Sequence, residues 1–122
     1  MRNATDRGIA PLSQLRQLNP EVEAVVILSP DGALESVDAD AEIIDALGPI
    51  LTTLLTMADR ASKELGRGAL DQFIVRGGRG LVVAQDLFGG RLLAVIARRG
   101  GRLGLLLDDV SACAAQLEHV AA

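Results

Sequence analysis

Residues 41–65 read AEIIDALGPILTTLLTMADRASKEL, and the apolar positions recur in alternating steps of three and four. Ile44, Leu47, Leu51, Leu54, Ala58, Ala61 and Leu65 share one side of a helix at that spacing. Ile43, Ile50, Leu55 and Met57 lie outside this stripe. The apolar surface is therefore wider than the roughly 100° arc that covers a single sheet, and a second partner for the helix is expected. Asp38 or Asp40 can cap its start, and Glu42 suits the positive end of its dipole. Gly48-Pro49 interrupts the pattern. An interior proline removes a backbone hydrogen bond and costs about 3 kcal/mol or more, so a kink or a break into two helices is expected there.

Ahead of this segment, Pro11 suits the first turn of a short helix in which Leu12, Leu15 and Leu18 share a face, and Asn19-Pro20 ends it. VEAVVIL then reads as a strand, Ser29-Pro30-Asp31-Gly32 as a turn, and residues 33–37 as a shorter, more polar strand completing a hairpin. Residues 70–76, 80–87 and 91–97 are three further strands separated by Gly77-Gly78 and Gly89-Gly90, the pattern of an antiparallel meander. Residues 102–120 form a last amphipathic helix through Leu103, Leu106, Val110, Cys113, Leu117 and Val120.

Strand order follows from burial. VVIL at 25–28 and LLAVIA at 92–97 are apolar on both faces, as central strands covered on two sides should be, whereas residues 33–37 and 70–76 carry polar positions that suit edges. The expected fold is α+β, an α/β sandwich. One five-stranded, mostly antiparallel sheet in the order 2-1-5-4-3 has the long helix on one face and the N- and C-terminal helices on the other. The third strand then lies at an edge with Phe73, Ile74 and Val75, and an apolar edge invites association. A symmetric dimer would cover this edge and the surplus face of the helix together. The expected seam comprises Ile43, Ile50, Leu55, Met57, Leu70, Gln72, Phe73 and Ile74.

Composition narrows the functional classes. The 122 residues carry a net charge of −4, unevenly placed: residues 21–45 hold eight acids and no Lys or Arg, and residues 60–102 hold nine bases and three acids. Phe73 and Phe88 are the only aromatic side chains, so a stacking platform for nucleic acid is not expected. No apolar run approaches the roughly 20 residues that span a bilayer, no signal peptide is evident, and Cys113 is the only thiol, all pointing to a soluble cytoplasmic protein. Cys113 falls on an apolar helix face and His119, the only histidine, near a helix end. They cannot assemble a nucleophile and base, so no catalytic residue is assigned and no enzyme activity is expected.

No metal or cofactor site is assigned either. Asp38, Asp40 and Glu42 lack the glycine and distal glutamate of a calcium loop. Asp108-Asp109 reads as dipole complementarity near a helix start, and the glycine pairs read as turns rather than a phosphate-binding loop. The meander brings Arg76 and Arg79 to the same end of the sheet as Arg98, Arg99 and Arg102, where a basic rim is expected.

VEAVVILSPDG, the Ala/Leu-rich helix ending in Glu64-Leu65-Gly66, and LLAVIARRGGRLGLLLDDV, in this element order, resemble the Roadblock/dynein light-chain family, and more narrowly its prokaryotic branch typified by the gliding regulator MglB. The resemblance covers roughly residues 12–120 and implies a profilin-like Roadblock fold; a single such domain is expected over residues 11–122, after a flexible segment at 1–10. It further implies a homodimer with paired third strands and side-by-side long helices, and a non-enzymatic regulator or scaffold for a small Ras-like GTPase docking across those helices. On this chain the partner surface would comprise Asp45, Thr52, Thr56, Asp59, Arg60 and Lys63. A small-ligand sensor or signalling adaptor without GTPase-regulating activity is the alternative.

Overall fold

A computed structural model describes residues 3–39 and 47–121. The elements are α1 (Asn3–Leu18), β1 (Val22–Leu28), β2 (Leu34–Ala39), α2 (Leu47–Glu64), β3 (Gln72–Gly77), β4 (Gly80–Asp86), β5 (Leu92–Arg98) and α3 (Leu103–Ala121). The strands form one antiparallel sheet in the expected order, β2-β1-β5-β4-β3. Gly89 and Gly90, with φ of 80° and 79°, make the short turn between β4 and β5, a conformation that a side chain would strain.

Register sorts the side chains into two layers. Val25, Val95, Val83 and Ile74 are paired in a row across β1, β5, β4 and β3, and Val26, Ala94, Ala84 and Phe73 form the neighbouring row. Successive residues of a strand point to opposite faces, so the first row looks one way and the second the other. On the first face α1 and α3 bury Leu12, Leu15, Leu106, Val110, Cys113 and Leu117 against Val25, Ile27, Leu93 and Val95. On the second face α2 buries Leu51 against Val26, Leu28, Ala84, Leu92 and Ala94, with Leu55, Phe73, Val37 and Val82 partly buried around them.

Three local expectations are corrected, and a fourth gains a structural context. Helix α1 begins at Asn3 rather than Pro11, which sits in the helix interior with its carbonyl near the Cys113 thiol at 3.7 Å. One backbone bond is given up there, while Leu12 and Leu15 anchor the helix in the core. Asp108-Asp109 does not occupy the first turn of α3, which has no acid; Asp109 instead accepts a hydrogen bond from Asn19 Nδ2 at 2.9 Å, tying the end of α1 to α3.

In α2, the stripe expected to share one side is split between buried and exposed positions: Leu51 is 1% exposed and Leu54 37%. Finally, Gly48 is buried because the β1–β2 turn passes over it, and an added methyl would stand 2.6 Å from the Gly32 carbonyl oxygen. Gly48 is thus a close-approach residue, and Pro49 is an exposed member of the first described turn of α2. The part of the expected helix at 41–46, and with it any kink or break there, lies outside the described residues.

Candidate interaction surface

Two parallel stripes run along α2, offset by one residue. Leu51, Leu55, Ala58 and Ser62 turn toward the sheet and are buried or half-buried. Ile50, Leu54, Met57, Ala61 and Leu65, the last just beyond the helix, turn away from it. Of these, Ile50 is 56%, Leu54 37%, Met57 67% and Leu65 73% exposed. Among the described residues β3 is hydrogen-bonded only to β4 and forms one edge of the sheet. Val75 is 42% exposed on the α2 side of the sheet, and Ile74 is 37% exposed on the other side, at the margin of the first layer.

The expected seam residues separate into two groups. Ile50 and Met57 lie on the exposed stripe of α2 and Ile74 is exposed at the β3 edge on the opposite side of the sheet, while Leu55 and Phe73 are partly buried against the second core. Leu70 and Gln72 are half-buried, Leu70 donating its N–H to Asp59 Oδ1 at 2.9 Å and Gln72 Nε2 donating to Gln85 Oε1 at 2.8 Å. Ile43 lies outside the described residues. Leu54, Leu65 and Val75 join the surface although the sequence expectation omitted them from the seam. Leu54 and Leu65 belong to the 50, 54, 57, 61, 65 spacing, and Val75 to the apolar edge strand already recognised in the sequence.

The residues expected to face a partner are placed as follows. Thr56 and Arg60 are exposed; Thr56 Oγ1 donates to the Thr52 carbonyl, and Arg60 pairs with Glu64 at 3.2 Å. Lys63 pairs with Asp59 at 2.9 Å. The Leu70 N–H, and after it Lys63, hold the Asp59 carboxyl below its ordinary pKa. Asp59 thereby clamps the end of α2 to the start of the β3 segment. Thr52 is half-buried beneath Gly32, and Asp45 lies outside the described residues.

At the other charged feature, Arg76, Arg98, Arg99 and Arg102 come together at one end of the sheet as expected, and the Arg99 N–H donates to the Arg79 carbonyl at 3.3 Å. Cys113 is buried and its thiol is pushed up to about 11 by desolvation, whereas His119 is exposed. Among the described residues no group of three or more His, Cys, Asp or Glu side chains is arranged to hold a metal ion. No helix among them is long and apolar enough to cross a membrane.

A family model for the Roadblock/LC7 domain matches residues 9–97. The chain belongs to the Roadblock/LC7 family. Its fold is that of MglB from Myxococcus xanthus, at 16% identity and a TM-score of 0.85 over 93% of this chain and 94% of that one. The gliding protein MglB of Thermus thermophilus superposes with a TM-score of 0.86 at 12% identity, covering 95% and 89% of the two chains. A Roadblock/LC7 domain from Streptomyces avermitilis is 25% identical, with a TM-score of 0.80 over 88% and 91%. A comparison with curated protein sequences gives no match. The Roadblock sheet and helices account for both apolar layers, and the outer stripe of α2 and the β3 edge are among the apolar surfaces they leave uncovered.

Proposed function

We propose that this Roadblock domain is a homodimeric regulator or scaffold that binds a small Ras-like GTPase and modulates its GTP hydrolysis or localisation, without chemistry of its own. One observation carries the dimer: the apolar stripe through Ile50, Leu54, Met57 and Leu65 lies on the same side of the sheet as Val75, which is exposed on the edge strand β3. Single apolar residues on a surface are ordinary, but a contiguous patch beside a free strand edge is an interaction site. A two-fold axis through this region would pair β3 with its copy and pack α2 beside its copy, covering both features with one operation.

The GTPase is supported by membership of the Roadblock family and by likeness in fold to the MglB proteins. In such a dimer the polar flank of α2, with Thr56, Arg60 and Lys63 exposed, would border the paired helices on the side open to a partner. Asp59 would act mainly by fixing the end of the helix. Light scattering at micromolar concentration tests the dimer, and a stable monomer would overturn it. Nucleotide turnover by a small Ras-like GTPase from the same organism, measured with and without this protein, tests the regulatory half. Arg60→Glu is expected to weaken the complex while leaving the dimer intact. Absence of binding in both the GDP and GTP states would overturn the assignment.

A further inference from the structure

At the end of the sheet remote from the β1–β2 turn, a cavity of about 260 Å³ opens between the β3–β4 turn, the β5–α3 connection and the start of α3. Arg76, Arg98, Arg99 and Arg102 line it, and Glu21 is the one acid among its lining residues. We propose that this cavity is a binding site for a small phosphorylated anion of about diphosphate size.

Three features carry the proposal. First, two of the guanidinium groups are tethered while keeping free donors. Arg98 donates to the Pro20 carbonyl at 3.0 Å and Arg99 to the Gly78 carbonyl at 3.0 Å. A guanidinium has five N–H groups, so each tether orients the fork and leaves others for a ligand. Arg98 also has Glu23 at 3.7 Å, a long contact on an exposed pair, whereas Arg76 and Arg102 have no acid within ion-pair distance among the described residues.

Second, α3 opens onto the cavity with no acid in its first turn, and its earliest capping bond runs from Leu106 N–H to the Arg102 carbonyl. The preceding N–H groups have no intrahelical acceptor and add their positive field to that of the arginines. Third, the backbone at the cavity is bare, and a methyl at Gly101 would overlap the Glu21 carboxylate, which an incoming anion displaces. Glycines at 77, 80, 100 and 101 keep the walls low, so an incoming oxyanion can reach the backbone.

Size and charge select the ligand class. The volume is just below the roughly 300–1,000 Å³ of pockets for drug-sized molecules, which leaves room for a phosphate group or two but not for a nucleoside with them. With a net charge of −4 and two aromatic residues, the chain offers no extended basic surface or stacking platform for a nucleic acid.

Inorganic pyrophosphate is the probe, titrated into the ¹⁵N-labelled full chain at low salt because exposed arginines are screened over about 10 Å at 0.1 M. Saturable shifts of the Gly101, Arg102 and Leu103 amides are expected, with a dissociation constant of about 1 mM or tighter. Arg102→Ala, an exposed side chain whose loss leaves the core intact, is expected to weaken binding about tenfold, as loss of a charged hydrogen bond does. Glu21→Gln is expected to tighten it roughly two- to fivefold. Parallel sedimentation with vesicles containing phosphoinositide separates a free anion from a lipid headgroup. Binding to vesicles without binding to pyrophosphate overturns the small-anion assignment. So does the absence of saturable shifts, or shifts that persist unchanged in Arg102→Ala.

Discussion

Replacing Met57 with aspartate separates the two layers of α2 in one measurement. Met57 is 67% exposed and belongs to neither core cluster, so Met57→Asp should leave the folded protomer intact. Fully burying a methionine side chain is worth roughly 1.5–3 kcal/mol, so covering the exposed two-thirds is worth about 1–2 kcal/mol per protomer. Symmetry counts the loss twice, giving about 2–4 kcal/mol, or about a 30- to 700-fold rise in the dimer dissociation constant. Carboxylates brought into the seam without partners add to that penalty. Sedimentation equilibrium across a concentration series reads the constant directly, and circular dichroism of the variant checks the fold. An unchanged dissociation constant would place the dimer surface elsewhere, and loss of helical signal in the monomer would show that Met57 supports the core after all.

Other substitutions test the layers and their joints. Leu51→Ala, at a fully buried position, is expected to lower stability by about 2–5 kcal/mol in chemical denaturation, whereas Leu54→Ala in the separated monomer should cost far less. Gly48→Ala pushes a methyl onto the Gly32 carbonyl and is expected to cost about 1–3 kcal/mol; an unchanged denaturation midpoint would dismiss the close-approach role. Cys113 supplies an alkaline test, because the chain has no tyrosine and Lys63 is its only lysine. Burial raises the thiol from 9.0 to about 11 in the folded state. Between those values the unfolded chain releases a proton that the folded chain keeps, so stability falls with rising pH by about 2–3 kcal/mol in total. Cys113→Ala should flatten that slope, and an equally steep decline in the variant would assign it to other groups.

The sheet was legible because strand signals are local and redundant. Apolar runs on β1 and β5 demanded two covering layers, polar positions marked the edges, and glycine pairs fixed the meander, so the order β2-β1-β5-β4-β3 had little competition. The basic rim followed from the same register, since the β3–β4 turn and the end of β5 share one end of the sheet. The start of α1 was less legible because Pro11 suits a first turn on local grounds, and only the packing of Leu12 and Leu15 compensates for its place in the interior.

The rotation of α2 was not legible at all, and the reason is specific. The periodic set 51, 54, 58, 61, 65 is a correct helical stripe, yet it follows the border between the core-facing set 51, 55, 58, 62 and the outer set 50, 54, 57, 61. A helix with apolar residues on more than one side offers several stripes of equal spacing, and periodicity alone cannot choose among them. The choice is made by contacts distant in sequence: Gly32 of the β1–β2 turn sits against Gly48 and Thr52, leaving no room for a larger side chain at either glycine. That contact sets which side of α2 faces the sheet, turning Leu51 inward and Leu54 and Met57 outward. The glycine that looked like a helix breaker in the sequence therefore helps decide which apolar face is left for a second copy of the chain.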